Sequence, residues 1–560
     1  MRATPASRNE RQPVGLDDRL WIVADVRLDC RDDLKAQLIG AGQTLEPFPT
    51  DPALLLHSYA AWGEECVLRL RGDFCFAIWD KLKQRLFCAR DHFGIKPFYY
   101  AATERMFFFS NALNCIRLRP DTSDELNDDA IADFLLFGTN CDFSTTTFRD
   151  IRRLPPAHTL TVSAEDLRVR PYWSLPIDGR IRYKRDEEYT EHFRHVMRLA
   201  VADRLGDGCT AISLSGGMDS GTIAAVAREA KPDGIRAFTT TCESLTEDRE
   251  GHFAKETANF LGIPLHLMSA DNAQPFECWY DPNFLGPEPV DNPLLVVSRR
   301  QFEEAARCSR VLLDGEGADN LMHFELGLYC ADLLRRSEWR TLTGAVLGYS
   351  WHQRRRWHRV GTQIRRAYQP SQERELPVWI AREFAQRLNL KERMNGSTKP
   401  AHPTVPKAHA SMSWPGWQTL FETTDPGVTR QCVEIRYPFL DLRMAEFLLA
   451  IPPYPWLLKK TIARRAMTGK LPESVLGRPK TGLSSDPTAE AVQKKQTDWA
   501  SSLDWNSEFS KFVDAEAVKA ELNRPDFELG NCGVSMVCLN FWLKSAASIG
   551  YKQMAETLNG

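Results

Sequence analysis

Apolar and polar residues alternate in short runs along the first third of the chain. Leu68–Trp79 (LRLRGDFCFAIW) alternates around a Gly-Asp turn. Arg85–Ala89 (RLFCA) and Phe98–Ala101 predict further short strands, with Gly94 and Pro97 marking the turn between them. Leu154–His158 (LPPAH) cannot lie inside a helix, because its two prolines remove donors and fix the backbone. A strand is expected after it at Thr159–Val162 (TLTV). Residues 20 to about 175 therefore read as mostly β.

The pattern changes across Pro176–Glu188 (PIDGRIRYKRDEE), a polar stretch that reads as a linker. Beyond it, strands and helices alternate. Thr210–Leu214, Ala237–Thr241, Leu265–Met268 and Val311–Leu313 predict strands. Thr222–Ala230, apolar at Ile223, Val226 and Ala227, and Phe253–Leu261 predict helices. Alternation of this kind predicts a parallel sheet covered on both faces. From about residue 325 onward helices dominate.

With 560 residues, one core is too few; two domains are the simplest division and three remain open. A hydrophobic share of 43% and a charged share of 26% are ordinary for a folded, soluble protein. The net charge of -3 argues against a general nucleic-acid binder. Lacking any run of 18 apolar residues, the chain is not expected to span a membrane. The polar start (MRATPASRNERQPVG) is unlike a secretory signal, so a cytoplasmic protein is expected. Fourteen cysteines without CxxC pairs, several inside apolar runs as at Cys75 and Cys88, fit buried reduced thiols.

Three segments carry chemistry. Ser215-Gly216-Gly217-Met218-Asp219-Ser220 lies between a predicted strand and a predicted helix. Its glycines allow close backbone approach to an anion, and the helix start offers free N–H groups and a positive dipole end. Asp219 has the wrong charge to hold phosphate directly, so a bridging Mg²⁺ is implied. The absence of a lysine at the Walker position separates this loop from that of kinases and GTPases. The second segment, Asp314-Gly315-Glu316-Gly317-Ala318-Asp319, directly follows the apolar Val311–Leu313. Ligands gather at the carboxyl ends of parallel strands, so Asp319 is a candidate second metal ligand and Glu316 a general base. The third, Arg478-Pro479-Lys480-Thr481-Gly482, offers Lys480 to stabilise charge on a pentacovalent phosphorus.

Together these segments resemble the asparagine synthetase superfamily over nearly the whole chain. SGGMDS is similar to the family's pyrophosphatase loop and DGEGAD to its second loop. Glu434–Asp441 (EIRYPFLD) and Leu471–Gly482 (LPESVLGRPKTG) resemble the two motifs that follow. Arg71–Asp80 (RGDFCFAIWD) and Leu86–Tyr100 (LFCARDHFGIKPFYY) resemble its glutamine-amidotransferase domain. The resemblance implies an α/β protein of two parts. Residues 1–178 would form an α+β amidotransferase-like sandwich, and residues 185–560 a parallel-sheet ATP-pyrophosphatase domain.

Departures narrow the expectation. Glutaminases of this class begin Met-Cys, whereas residue 2 here is Arg; Ala24–Leu34 (ADVRLDCRDDL) resembles an element that normally lies well inside the domain. The expectation is a truncated, non-glutaminase domain in which Cys30 is a packed thiol. Asn320 stands where asparagine synthetases usually carry Glu, and Leu321–Phe324 lacks their Phe-x-Gly-Tyr continuation. Members without a glutaminase use an amine already in the substrate, as β-lactam synthetases and lasso-peptide macrolactam cyclases do. Phe134–His158, with its LPPAH, most resembles the lasso cyclases; asparagine synthetases favour Gly before that His.

That resemblance implies an enzyme that adenylates an Asp or Glu side chain of a core peptide with ATP. The peptide's N-terminal amine then closes a macrolactam, with release of AMP and pyrophosphate. Leu214, Ser215, Gly216, Gly217, Asp219, Ser220 and Gly315 would hold ATP and pyrophosphate, and Asp219 and Asp319 the Mg²⁺. Lys480, Glu316 and Glu422 would be catalytic, Glu422 by likeness to a glutamate that assists the base of a β-lactam synthetase. The expected partners are the precursor peptide, a leader peptidase and a leader-binding protein, with no nucleic acid and no membrane. The rival readings are an ammonia-using ligase of a small acid, a β-lactam-type cyclase, and a peptide-binding scaffold with a dead synthetase domain. Arg354–Arg366 (RRRWHRVGTQIRR) reads as a solvated helix face or a contact for an acidic leader, and Trp414 and Trp417 as core or as a peptide cavity wall.

Overall fold

A computed structural model describes residues 10–177, 179–242, 250–281, 284–352, 373–396, 402–478, 491–492, 501–506, 508–524 and 531–548. The N-terminal part is built on an antiparallel sheet of six strands in the order β1-β2-β3-β4-β8-β9. These are Val14–Leu16, Leu20–Leu28, Gly72–Asp80, Arg85–Arg90, His158–Val162 and Leu167–Pro171. A smaller sheet, β6-β5-β7, joins Phe107–Ser110, Tyr99–Ala102 and Arg152–Arg153.

Strand β3 is apolar on both faces because each face is covered. Phe74, Phe76 and Ile78 pack with Phe87 and the helix Asp51–Trp62, while Cys75 and Ala77 face Phe98, Tyr100 and Leu160. Two sheets with a helix on the outside give the α+β sandwich expected from the sequence. One local expectation changes. Gly72-Asp73 begins β3 rather than turning between two strands, and Gly63–Leu68 is a 3-10 helix. The alternation of Leu68 and Leu70 reflects a turn buried on one side, since Leu70 is 1% exposed and Leu68 64%.

The C-terminal part carries a five-stranded sheet in the order β12-β11-β10-β13-β14, with every pair parallel. The strands are Leu265–Ser269, Ile235–Thr241, Thr210–Ser213, Val311–Leu313 and Glu434–Arg436. The strands expected from the sequence are all present within a residue or two of their expected ends. The helices Met218–Ala230 and Glu250–Leu261 begin three or four residues earlier than their apolar spacing predicts. Strand β14, inside the EIRYPFLD motif, escapes a reading by period because it is only three residues long. Ala211, Ile212, Leu312, Leu313, Ile223 and Ala227 form the centre of one core beneath this sheet.

Buried charge joins the two parts. Arg27 holds Asp73 at 2.8 Å, and Arg204 meets Asp29 at 3.3 Å and Asp441 at 2.8 Å. Arg443 completes the group through Asp441 and Asp203. A second group centres on Lys96, which bonds Asp25 at 3.1 Å and Glu434 at 2.6 Å. Burial opposes ionisation of Glu434, yet Arg436 and Lys96 hold its carboxyl well below the usual range. Such groups fix one relative placement of the domains, because a shifted interface strands buried charges. The C-terminal helix Asn531–Ser548 adds apolar contact, with Trp542 against Phe148 and Phe541 stacked on Phe276 at 4.4 Å. Among the described residues no helix is long and apolar enough to cross a membrane.

Candidate active site

The strand order reverses between β10 and β13: the chain goes outward from β10 through β11 to β12, then returns to β13 and β14. A crevice opens at the carboxyl ends of strands at such a switch point, and ligands bind there. Both acidic, glycine-rich segments leave the sheet at this crevice. The SGGMDS loop follows β10 and the DGEGAD loop follows β13. Segments that lie about 100 residues apart in sequence are therefore side by side.

The backbone of the first loop fixes its open shape. Gly216 has φ 67°, and a Cβ there would come within 2.6 Å of the Ala254 nitrogen. Gly217 precedes the helix Met218–Ala230, and no side chain caps that helix start, which leaves its first N–H groups directed into the crevice. The Ser220 hydroxyl accepts from the Ser215 amide at 3.1 Å and lies 3.1 Å from the Ser215 hydroxyl. Leu214 is a core residue, 1% exposed; its amide donates to Phe238 at 2.8 Å, so only its backbone leads into the loop. Gly315 of the second loop faces the first: a Cβ there would lie 3.3 Å from the Ser220 nitrogen.

Lys460 joins the two loops. Its ammonium pairs with Asp219 and lies 2.5 Å from Asp319. It sits at φ 58° immediately before the helix Thr461–Ala466. The sequence reading missed this residue, because a Lys-Lys pair at a helix start is indistinguishable from ordinary surface charge. Arg478, two residues before Lys480, also reaches the first loop. Its guanidinium donates to the Gly216 carbonyl at 3.3 Å and lies over the Phe253 ring at 4.3 Å.

Glu316 stands at the mouth of the crevice. It is exposed to solvent on one side, yet partial desolvation by the crevice, with the charges of Asp314, Asp319 and Asp219, pushes its carboxyl up to about 7. Asp314 fixes the loop by accepting from the Glu316 amide at 2.9 Å. Tyr437, buried behind the loop, bonds the Thr424 hydroxyl at 2.9 Å.

The structure does not bring every expected residue to this cluster. Glu422 is buried in a separate ion group, where Arg153 bonds it at 2.7 Å and also pairs with Glu288. Lys480 and Arg354–Arg366 lie outside the described residues. Trp417 is core, its indole N–H bonded to the Ser411 carbonyl at 2.8 Å, whereas Trp414 is 51% exposed. It follows the helix Pro406–Met412, whose Ser411 hydroxyl donates to the Asn320 carbonyl at 3.3 Å beside the second loop. All 14 cysteines are free, but they are not uniformly buried: Cys115, Cys141, Cys278 and Cys432 are exposed. Cys30 is half-buried, with the Arg443 guanidinium 3.2 Å from its sulfur.

A parallel sheet with an uncapped helix start and two loop carboxylates at its switch point is the arrangement of a nucleotide-using α/β domain. The asparagine synthase family model matches residues 192–543, and a glutamine amidotransferase domain matches residues 5–173. The chain belongs to the asparagine synthase family and is an ATP-dependent, amide-forming ligase.

Asparagine synthetase [glutamine-hydrolyzing] 3 of Bacillus subtilis is 27% identical over 519 residues, 84% of this chain and 77% of that protein. A putative asparagine synthetase of Mycobacterium bovis is 32% identical over 316 residues, 52% of this chain. Amidase chyE of Penicillium rubens is 28% identical over 51% of this chain. The matched regions span under half of these last two proteins, at 45% and 44%. Among solved structures, the allosteric regulatory enzyme of purine biosynthesis aligns with 47% of the chain at 13% identity and a TM-score of 0.22, too loose to carry an argument.

Proposed function

We propose that this ligase is a lasso-type macrolactam cyclase, which activates a peptide side-chain carboxylate with ATP and joins it to the peptide's own N-terminal amine. The observation that carries the activating half is the Asp219–Lys460–Asp319 cluster beside the phosphate loop. Two carboxylates that already share one cation suit Mg²⁺, whose bound charge would neutralise phosphate oxygens. The N–H groups at the start of Met218–Ala230 and the hydroxyls of Ser215 and Ser220 hold the leaving pyrophosphate. Lys480 stabilises the α-phosphorus as the substrate carboxylate attacks it.

In the second half Glu316 takes the proton from the attacking amine. A carboxyl near 7 is suited to that transfer close to neutral pH. A tethered amine has a high effective concentration, so ring closure needs little beyond orientation. One feature favours a peptide. Trp414 offers an exposed indole three residues after Ser411, whose hydroxyl bonds the Asn320 carbonyl, and so a surface for an apolar side chain. Ala157 of LPPAH adopts φ 56°, the left-handed conformation in which glycine is easiest, so this chain departs from the Gly-His pairing at some local cost. Buried thiols fill the domain in front: burial raises Cys66 to about 12 and lifts Cys75 and Cys88 well above their ordinary value.

A second reading, ligation of ammonia to a small acid, draws support from the long alignment with the Bacillus asparagine synthetase. The discriminating experiment is pyrophosphate exchange from ATP, driven separately by a candidate precursor peptide and by free aspartate. Exchange with the peptide, and a product lighter than the peptide by one water, supports the cyclase. Aspartate-dependent pyrophosphate release with no peptide present rejects it. Asp219→Ala abolishes exchange under either reading.

A further inference from the structure

Cys209 and Cys308 occupy the end of the parallel sheet opposite the ATP crevice. Cys209 immediately precedes β10, and Cys308 lies three residues before β13. These strands pair in parallel at Ala211 and Leu312. Ser309 locks the two approaches together. Its hydroxyl donates to the Cys209 carbonyl at 2.7 Å and accepts from the Ala211 amide at 3.2 Å. The Cys308 thiol donates to the Ala305 carbonyl at 3.6 Å, and its sulfur is near enough to shift the ionisation of the Cys209 thiol. Both are half-buried and free, and both line an open cavity of about 630 Å³ with Gly206, Gly208, Arg307 and Arg310. A small reagent therefore has access to them.

We propose that Cys209 and Cys308 are a reversible dithiol–disulfide site, oxidised by a small-molecule disulfide of the glutathione type. The Cys308 thiolate attacks one sulfur of the reagent, whose S–S bond breaks and releases one thiol. The Cys209 thiolate then attacks the Cys308 sulfur and expels the second thiol. The protein loses two protons and two electrons, and the reagent gains them as two free thiols. Burial, then the neighbouring Cys308 sulfur, raises the Cys209 thiol above its ordinary value, which suits the resolving role. Thiols held side by side complete the second step faster than a second reagent molecule arrives.

The bond would staple the lower ends of the two strands that carry the phosphate loop and the acidic loop. β10 and β13 share only two registered residue pairs, Ala211–Leu312 and Ile212–Leu313, so this junction is short. The cross-link would also close the segment holding β11, β12 and the helix Met218–Ala230 into a covalent loop, which restricts the unfolded chain.

The test treats the full-length protein with oxidised glutathione and maps its peptides without reduction. A Cys209–Cys308 cross-linked peptide, two hydrogens lighter than the separate pair and restored by dithiothreitol, is expected. The thermal midpoint should rise by several degrees on oxidation and return on reduction. In Cys209→Ser the cross-link should be replaced by a glutathione adduct retained on Cys308, and the midpoint should no longer rise. If separate adducts form on both residues of the wild-type protein, or if neither reacts while exposed Cys115 and Cys432 do, the site is overturned. A cross-link from either residue to some other cysteine overturns it equally.

Discussion

Replacing Gly216 by alanine sets a methyl carbon 2.6 Å from the Ala254 nitrogen and 2.8 Å from the Glu250 carbonyl oxygen. Both are backbone atoms of the helix Glu250–Leu261, so neither can move aside without displacing that helix. The same residue has φ 67°, where a side chain costs about 1–2 kcal/mol. Overpacking against fixed atoms adds about 1–3 kcal/mol. Gly216→Ala should therefore lose roughly 2–5 kcal/mol of folding stability, or distort the phosphate loop to avoid that loss. Gly217 is the matched control: its φ is -85°, and an added Cβ would meet only the Ser215 hydroxyl at 3.3 Å. Gly217→Ala should change stability by under about 1 kcal/mol while weakening nucleotide binding, because its methyl group projects beside the Ser215 hydroxyl proposed to bind phosphate. Urea unfolding of the two variants, paired with ATP titration by calorimetry, separates these effects. Equal stability of the two variants, with ATP affinity intact in both, would refute the account of this loop.

Four further outcomes follow from the structure. Glu316 has its carboxyl raised from an ordinary 4.5 to about 7, so the native state loses stability as pH rises through that window, and Glu316→Gln should lack the loss. The amide-forming step should rise with an apparent pKa near 7 in the wild type, and pre-steady-state rates that are flat from pH 6 to 8 reject the base role. Lys460→Met removes the cation shared by Asp219 and Asp319, so nucleotide-free protein should bind Mn²⁺ severalfold more tightly; unchanged affinity by calorimetry counts against a metal site there. Arg204, 1% exposed, neutralises Asp29 and Asp441 across the domain junction, and Arg204→Met should cost about 3–5 kcal/mol in urea unfolding. A loss below about 1 kcal/mol would mean that the junction is wetter than its packing indicates.

The amino-acid order by itself determined the parallel α/β character of the second half. Short apolar runs at Thr210–Leu214, Ala237–Thr241 and Val311–Leu313, alternating with helical segments, argue for strands covered on both faces. It also singled out the two glycine-rich acidic loops as candidate chemistry, through the residue types and spacing of Gly216 and Asp219. Tertiary structure decided which distant residues meet there. Lys460 reaches Asp219 across 241 residues, and no local periodicity encodes that contact. The fate of Glu422 was likewise settled by burial, which set it against Arg153 and Glu288 rather than Glu316. Sequence patterns record the short-range demands of backbone and burial. Charge partners are chosen afterwards, by whichever groups the packed sheets leave within a few ångströms of one another.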